Sequence, residues 1–145
     1  MSRDQFFDTN VLVYAHTSGD YRSEIARELL LDGGVVGVQA LNEFALVARA
    51  KLGFNWPRVR AAVGNILIFC PNPRPLRVET HLRALEISER YGFSIWDGLI
   101  VAAAIEARCS VLLSEDMQHG QVVEGVRIEN PFLGRTAPEV TRRSN

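Results

Sequence analysis

Gln5-Phe-Phe-Asp-Thr-Asn-Val-Leu-Val-Tyr14 is the stretch on which the organisation of this chain turns. It reads as a short buried strand, Gln5–Phe7, running at once into a helix over 9–16. Asp8 stands at the junction, where an aspartate can cap the first helical turn. It is also the only Asp, Glu, Lys or Arg between Asp4 and Asp20. A carboxylate inside an apolar segment is costly unless something answers its charge. Two more acids are isolated in the same way. Glu43 is the only charged residue between Asp32 and Arg49, and Asp97 the only one between Arg90 and Glu106. A fourth acid, Asp116, follows the apolar run Val111-Leu-Leu113 in Ser114-Glu-Asp-Met117.

Working outward from Asp8, strands and helices alternate. Asp20 or Ser23 opens a second helix that ends at Gly33-Gly34. A strand is expected over 35–38, with a helix over 40–52 behind it. Pro57 suits the first turn of another helix, over 57–65. A third strand is expected over 67–70, closed by the proline-rich turn 71–75. Val78, Leu82 and Leu85 repeat at helical spacing and predict a helix to about Tyr91. Ser94 can cap a helix to about Ala107. Val111–Leu113 reads as a fourth strand and Val126–Glu129 as a fifth, and the polar tail over 134–145 is expected to be flexible.

Such alternation predicts a parallel sheet covered by helices on both faces, within one domain spanning 1–145. Folds of this kind gather their ligands at the carboxyl ends of the strands. Asp8 and Asp116 fall just after strands, Glu43 early in a helix and Asp97 in a first turn, where the helix dipole favours an anion. The spacing therefore places four acids along one edge of one sheet. Grouped carboxylates repel, by roughly 4 kcal/mol for two charges about 4 Å apart at an effective dielectric of 20. A hard divalent cation answers all four, since Mg²⁺ takes one or two carboxylates directly and keeps several waters. Asp8 and Asp97 are the expected direct ligands with Asp116 close behind, and Glu43 is placed to position or deprotonate a water. Each acid also has an ordinary reading, as a cap, an exposed helix residue, a first-turn dipole residue or a turn residue. Four such coincidences at strand ends are less economical than one site.

Composition narrows the setting. The chain has 145 residues, of which 47% are hydrophobic and 23% charged, with a net charge of −1. That is enough chain to bury a core, and no apolar run reaches the roughly 20 residues that span a bilayer. The N-terminus carries no secretory apolar region, which makes the cytoplasm the expectation. Cys70 and Cys109 lack metal-ligand spacing and read as buried thiols. Fifteen arginines accompany one lysine, Lys51. Arginine suits bidentate phosphate contacts, and a genome's base composition gives the same bias.

The four acidic segments resemble, in order, the motifs of PIN-domain nucleases. They are Phe7-Asp-Thr-Asn-Val-Leu-Val-Tyr14, Gln39-Ala-Leu-Asn-Glu-Phe44, Ser94-Ile-Trp-Asp-Gly-Leu-Ile100 and Leu113-Ser-Glu-Asp116. Within that family the chain is most similar to VapC-type toxins of toxin–antitoxin pairs, through Ser114-Glu-Asp-Met-Gln-His-Gly120 and Asn130-Pro-Phe132. The resemblance implies a three-layer α/β/α fold with a mostly parallel sheet of four to five strands. It implies an endoribonuclease using one or two Mg²⁺ or Mn²⁺ ions, a homodimer, and a VapB-type antitoxin whose tail enters the acidic cleft. By the same resemblance Asp8, Glu43, Asp97 and Asp116 are catalytic, with Asp8, Asp97 and Asp116 holding metal. Thr9, Asn10 and Ser114 line the site. Gly98 stands where many relatives carry alanine. Glu115, beside Asp116, leaves open which acid faces the metal, and family register favours Asp116.

Other residues carry weaker signals. Arg49, Lys51, Arg58 and Arg60 surround a turn that either grips an RNA backbone, meets the antitoxin, or is a solvated helix end. Trp96 is expected to pack against the sheet, with base stacking as the alternative. His119, in a Gln-His-Gly turn, reads as structural or exposed rather than as an acid. A phosphoaspartate protein also places an aspartate after its first strand, but its chemistry needs a lysine after a later one, and Lys51 lies near the second. A PIN nuclease outside any toxin pair and a binding module without catalysis are the remaining alternatives. Gene neighbourhood separates the first from a toxin, and replacement of Asp97 tests the second.

Overall fold

The computed structural model describes residues 4–134. Its elements run β1 (Gln5–Phe7), α1 (Thr9–Ala15), α2 (Tyr21–Asp32), α3 (Val38–Ala50), α4 (Trp56–Phe69), α5 (Val78–Tyr91), α6 (Ile95–Glu106), β2 (Val111–Leu113), β3 (Val122–Val123) and β4 (Val126–Glu129). The sheet order is β1-β2-β4-β3, with β1, β2 and β4 parallel and β3 antiparallel to β4. Phe7 pairs with Leu113 and Leu113 with Glu129, so β1, β2 and β4 end in line.

Two apolar cores lie on opposite faces of this sheet. Phe7 and Leu113 pack into one, with Val11, Leu12, Ala26, Phe44, Val59 and Ile66 from α1 to α4. Phe6, Leu112 and Ile128 point to the other, with Ile87 from α5 and Ile100 and Val101 from α6. Alternation along three-residue strands is what sends neighbouring side chains to different layers. The result is the expected three-layer α/β/α arrangement with a mostly parallel sheet.

Several expectations need correction. The strand over 35–38 shrinks to two isolated parallel bridges, Val35 with Phe6 and Gly37 with Arg74, because α3 already begins at Val38. The strand over 67–70 is absent: α4 continues to Phe69, its buried face carrying Val59, Ala62 and Ile66. Apolar residues near a helix end look like a strand when read without their helical neighbours. In place of that strand, Arg74 bridges Gly37 in parallel, its N–H donating to the Val36 carbonyl at 2.8 Å. The short strand β3 was not expected; it pairs across a turn at Glu124-Gly125, where both residues have positive φ. The helix over 78–91 forms, yet Val78, Leu82 and Leu85, whose spacing predicts it, face outward, and Thr80, Ala84 and Ile87 are buried instead. Cys70 and Cys109 are both buried, as expected. The tail reading falls almost wholly on 135–145, outside the described residues.

Gly98 sets the fit of α6 on α5. A Cβ there would stand 2.2 Å from the Ser88 hydroxyl oxygen and 2.9 Å from the Ala84 carbonyl oxygen. Glycine lets the two helices approach closely there. Among the described residues no helix is long and apolar enough to cross a membrane.

Candidate active site

Asp8 is held where β1 ends. Its N–H donates to the Leu113 carbonyl at 3.0 Å, continuing the β1–β2 ladder by one residue. Its carboxylate caps α1, accepting the Thr9 N–H at 2.7 Å, and accepts the Ser114 hydroxyl at 2.7 Å. Ser114 follows β2 and is fully buried, while Asp8 is 6% exposed. Burial pushes the Asp8 carboxyl up to about 6, helped by the charges of Asp116 and Glu43, against the lowering effect of Ser114 and Thr9.

Asn10 and Thr9 connect the remaining acids. The Asn10 amide donates to Asp116 at 3.1 Å and lies 3.4 Å from Asp8 and 3.5 Å from the Ser114 hydroxyl. Thr9 donates its hydroxyl to Glu43 at 2.7 Å. The other Glu43 oxygen accepts the Gln39 amide at 3.1 Å, from one turn earlier on α3. Gln39 is buried, also reaches the Trp96 carbonyl at 3.4 Å, and keeps its own amide oxygen without a partner. Asp97 sits in the first turn of α6, which Ser94 caps. Partial burial raises its carboxyl, and Asp116 and Glu43 raise it further, while a Ser94 hydrogen bond opposes them. Each of Asp8 and Asp97 thus feels both Glu43 and Asp116. None of the four acids has an ion-pair partner among the described residues.

Glu115 turns away from this cluster. It accepts the Tyr14 hydroxyl at 2.7 Å and pairs with Arg22 at 2.6 Å, and Arg22 also chelates Asp20 and lies over the Tyr14 ring. Asp116 is therefore the acid of this pair that joins Asp8, Asn10 and Ser114. His119 is exposed and accepts the Asn130 N–H on Nδ1 at 3.0 Å, which fits the structural reading of its turn.

A groove of about 760 Å³ opens beside Glu43 and Asp116, lined also by Thr9, Asn10, Lys51 and Trp96 among others. Its walls are apolar, from Val13, Tyr14, Leu46 and Val47. Trp96 is 63% exposed, so it does not pack against the sheet as expected and instead offers an open ring face beside the acids. Of the four basic residues singled out, only Lys51 lines this groove. Arg49 donates to the Phe54 carbonyl at 3.1 Å and stacks on Trp56, and Arg58 stacks on Phe54. Both hold the turn between α3 and α4. Arg60 is exposed on α4.

Gln39 was missed as a site residue, although its i,i+4 spacing from Glu43 on one helix face is a readable signal. The groove's apolar walls were missed too, because nothing in the residue types of Val13, Leu46 and Val47 marks them as site residues. The donor set, carboxylate and amide oxygens with no thiol or imidazole, suits a hard cation. Among the described residues no three His, Cys, Asp or Glu side chains are grouped tightly enough to enclose an ion unaided. A cation that binds one or two carboxylates and reaches the others through water fits that spread.

The chain belongs to the PIN domain family, whose model matches residues 6–124. Three solved structures share its fold. VapC20 of Mycobacterium tuberculosis, described as a sarcin–ricin loop cleaving toxin, is 19% identical with a TM-score of 0.64, covering 85% of this chain and 98% of that one. VapBC2 of Rickettsia felis, bound to a DNA fragment from its promoter, is 18% identical with a TM-score of 0.60, covering 86% and 96%. FitAcB of Neisseria gonorrhoeae is 16% identical with a TM-score of 0.59, covering 89% and 99%. No curated protein sequence matches significantly.

Proposed function

We propose that this PIN-domain protein is a Mg²⁺- or Mn²⁺-dependent endoribonuclease, the toxin of a VapBC-type pair that restrains translation when its antitoxin is lost. The observation that carries the reading is the set of four acids with no ion-pair partner among the described residues, two of which, Glu43 and Asp116, line a groove that also offers Trp96 and Lys51. Family membership supports nuclease chemistry, and the similarity to VapC20 and VapBC2 supports the toxin role.

A bound cation lowers the pKa of a nearby water and offsets charge on the phosphodiester. Asp8 and Asp97 would hold the ion directly in this reading, with Asp116 close behind. Ser114, Thr9 and Asn10 fix the Asp8 carboxylate in place. Glu43, fixed by Thr9 on one oxygen and Gln39 on the other, orients the attacking water and takes its proton. Lys51 meets a backbone phosphate at the rim, and Trp96 stacks on a base. Water as nucleophile leaves 5′-phosphate and 3′-hydroxyl ends.

The same groove suits the antitoxin, because apolar walls over an acidic floor fit a tail that carries apolar and cationic side chains together. A homodimer is the expected assembly, and Val78, Leu82 and Leu85 form an exposed apolar stripe on α5 for it.

Total RNA incubated with antitoxin-free protein in Mg²⁺, in Mn²⁺ and in EDTA, beside Asp8→Asn, tests the activity. Discrete fragments that need metal and vanish in the variant are the expected result, and sequencing their ends names the substrate. Equal cleavage by both proteins, or cyclic 2′,3′-phosphate ends, overturns the mechanism.

A further inference from the structure

A second groove, of about 590 Å³, shares Lys51 with the acidic groove. It is lined by His16, Thr17, Ser18, Arg27, Lys51 and Arg58, with apolar support from Ala15, Leu52 and Phe54. Among the described residues no carboxylate lines it, in contrast to the acidic groove, which holds Glu43 and Asp116. Lys51 lines both, so the two grooves meet at the chain's single lysine.

The cations of this second groove are held in place by contacts that leave charge available. The Arg58 guanidinium lies 4.0 Å from the centre of the Phe54 ring, and Phe54 is itself buried. Among the described residues neither Arg58 nor Lys51 has an ion-pair partner. Arg27 donates to the Thr17 carbonyl at 2.8 Å, which fixes it against the α1–α2 turn, and its other terminal nitrogen is 3.5 Å from exposed Glu24. His16 forms a wall rather than a free donor: Nδ1 is 2.8 Å from the Leu12 carbonyl, and Nε2 lies 3.4 Å from the Asn65 amide. The Ser18 side chain is exposed at the mouth. Preset guanidinium groups beside a hydroxyl form a phosphate-binding chemistry.

We infer that this second groove is a backbone-phosphate subsite for the polynucleotide strand as it leaves the acidic groove across Lys51. The inference rests on the nuclease reading and extends it, since the acids account for cleavage and this groove for holding the flanking strand. It also resolves a difficulty of the site. Four acids repel the phosphates of their own substrate, and cations displaced to one side recover the attraction without neutralising the acids. An acidic protein segment has the same charge. Continuity with the catalytic groove favours the nucleic-acid strand.

The test uses the full chain carrying Asp8→Asn, so that binding is measured without cutting. Anisotropy of a fluorescein-labelled oligouridylate, a dozen nucleotides long, is titrated in Mg²⁺ across a series of KCl concentrations. Arg58→Gln and Arg27→Gln each weaken binding severalfold and reduce the salt slope by about 0.7, the value for one phosphate contact on a single strand. Arg58→Lys keeps the slope, which separates charge from loss of the Phe54 stacking, and thermal melting confirms that each variant is folded. Unchanged affinity and slope in both glutamine variants, or no binding of oligouridylate at all, overturns the subsite. Equal binding of a labelled oligoglutamate, lost in the same variants, makes it an acidic-peptide site and overturns it too. Cleavage by the protein with Asp8 intact is scored separately. Loss of salt slope in the variants without any cleavage leaves the subsite standing and removes the nuclease reading.

Discussion

Asp8→Asn should make the metal-free protein more stable at neutral pH while abolishing its activity. The carboxyl of Asp8 is raised from 3.8 to about 6, chiefly by burial. At about 1.36 kcal/mol per pH unit, keeping it ionised at pH 7 costs the fold about 3 kcal/mol. The sign follows from linkage. A carboxyl with a raised folded pKa contributes stability that is fully present below 3.8 and lost as pH rises through about 6. Asparagine removes this dependence and keeps the cap, since Asn and Asp serve almost equally there. Its amide can donate to the Ser114 oxygen where the carboxylate accepts the hydroxyl. Thermal melts in EDTA should therefore put the variant above wild type at pH 7 by about 1 to 3 kcal/mol, or roughly 3 to 12 °C for a chain of this size. The gap should close toward pH 4. Mg²⁺ should raise the melting temperature of wild type at pH 7 and leave the variant nearly unmoved, because binding to the folded state alone is stabilising. A variant that melts below wild type at pH 7 in EDTA refutes the argument, as does a gap that stays constant from pH 4 to 7.

Other consequences can be read the same way. Asp116→Asn should lower RNA cleavage at least a hundredfold, whereas Glu115→Gln should keep it within a few-fold and cost about 1 kcal/mol of stability through its bonds to Arg22 and Tyr14; cleavage rates and melts on both variants decide, and the reverse ranking would exchange the two acids. Gly98→Ala should destabilise by about 1 to 3 kcal/mol, because its new methyl meets Ser88 and the Ala84 carbonyl; denaturant melts measure it, and adding Ser88→Ala should recover the share owed to the hydroxyl. Leu82→Asp on the exposed face of α5 should convert a dimer to a monomer in light scattering with little change in melting temperature. A wild type that is already monomeric sinks the dimer.

What the sequence determined by itself is the set of acids and the class of fold. Isolation of Asp8, Glu43 and Asp97 in apolar runs is a local property, visible without any neighbour in space, because an ion in such a run needs a reason. Two helix starts were equally legible: Asp20 and Ser94 both accept first-turn N–H groups. The start of α4 is marked in sequence by Pro57, while its cap is Asn55, which accepts the Arg58 N–H. The edge of the sheet was not legible. The stretches over 35–38 and 67–70 have strand composition, but the pairing that makes a strand lies elsewhere in the chain, and tertiary packing drew 67–69 into α4 instead. Only the tertiary structure could assign Glu115 to Arg22 and Asp116 to Asn10, since adjacent residues in a turn differ only in where their side chains arrive. It alone placed Lys51 on the groove while Arg49 and Arg58 stack on aromatic rings, and it turned Trp96 outward. Charge and hydropathy are written residue by residue, but which cation faces which anion depends on contacts between residues far apart in the chain, such as Arg22 and Glu115.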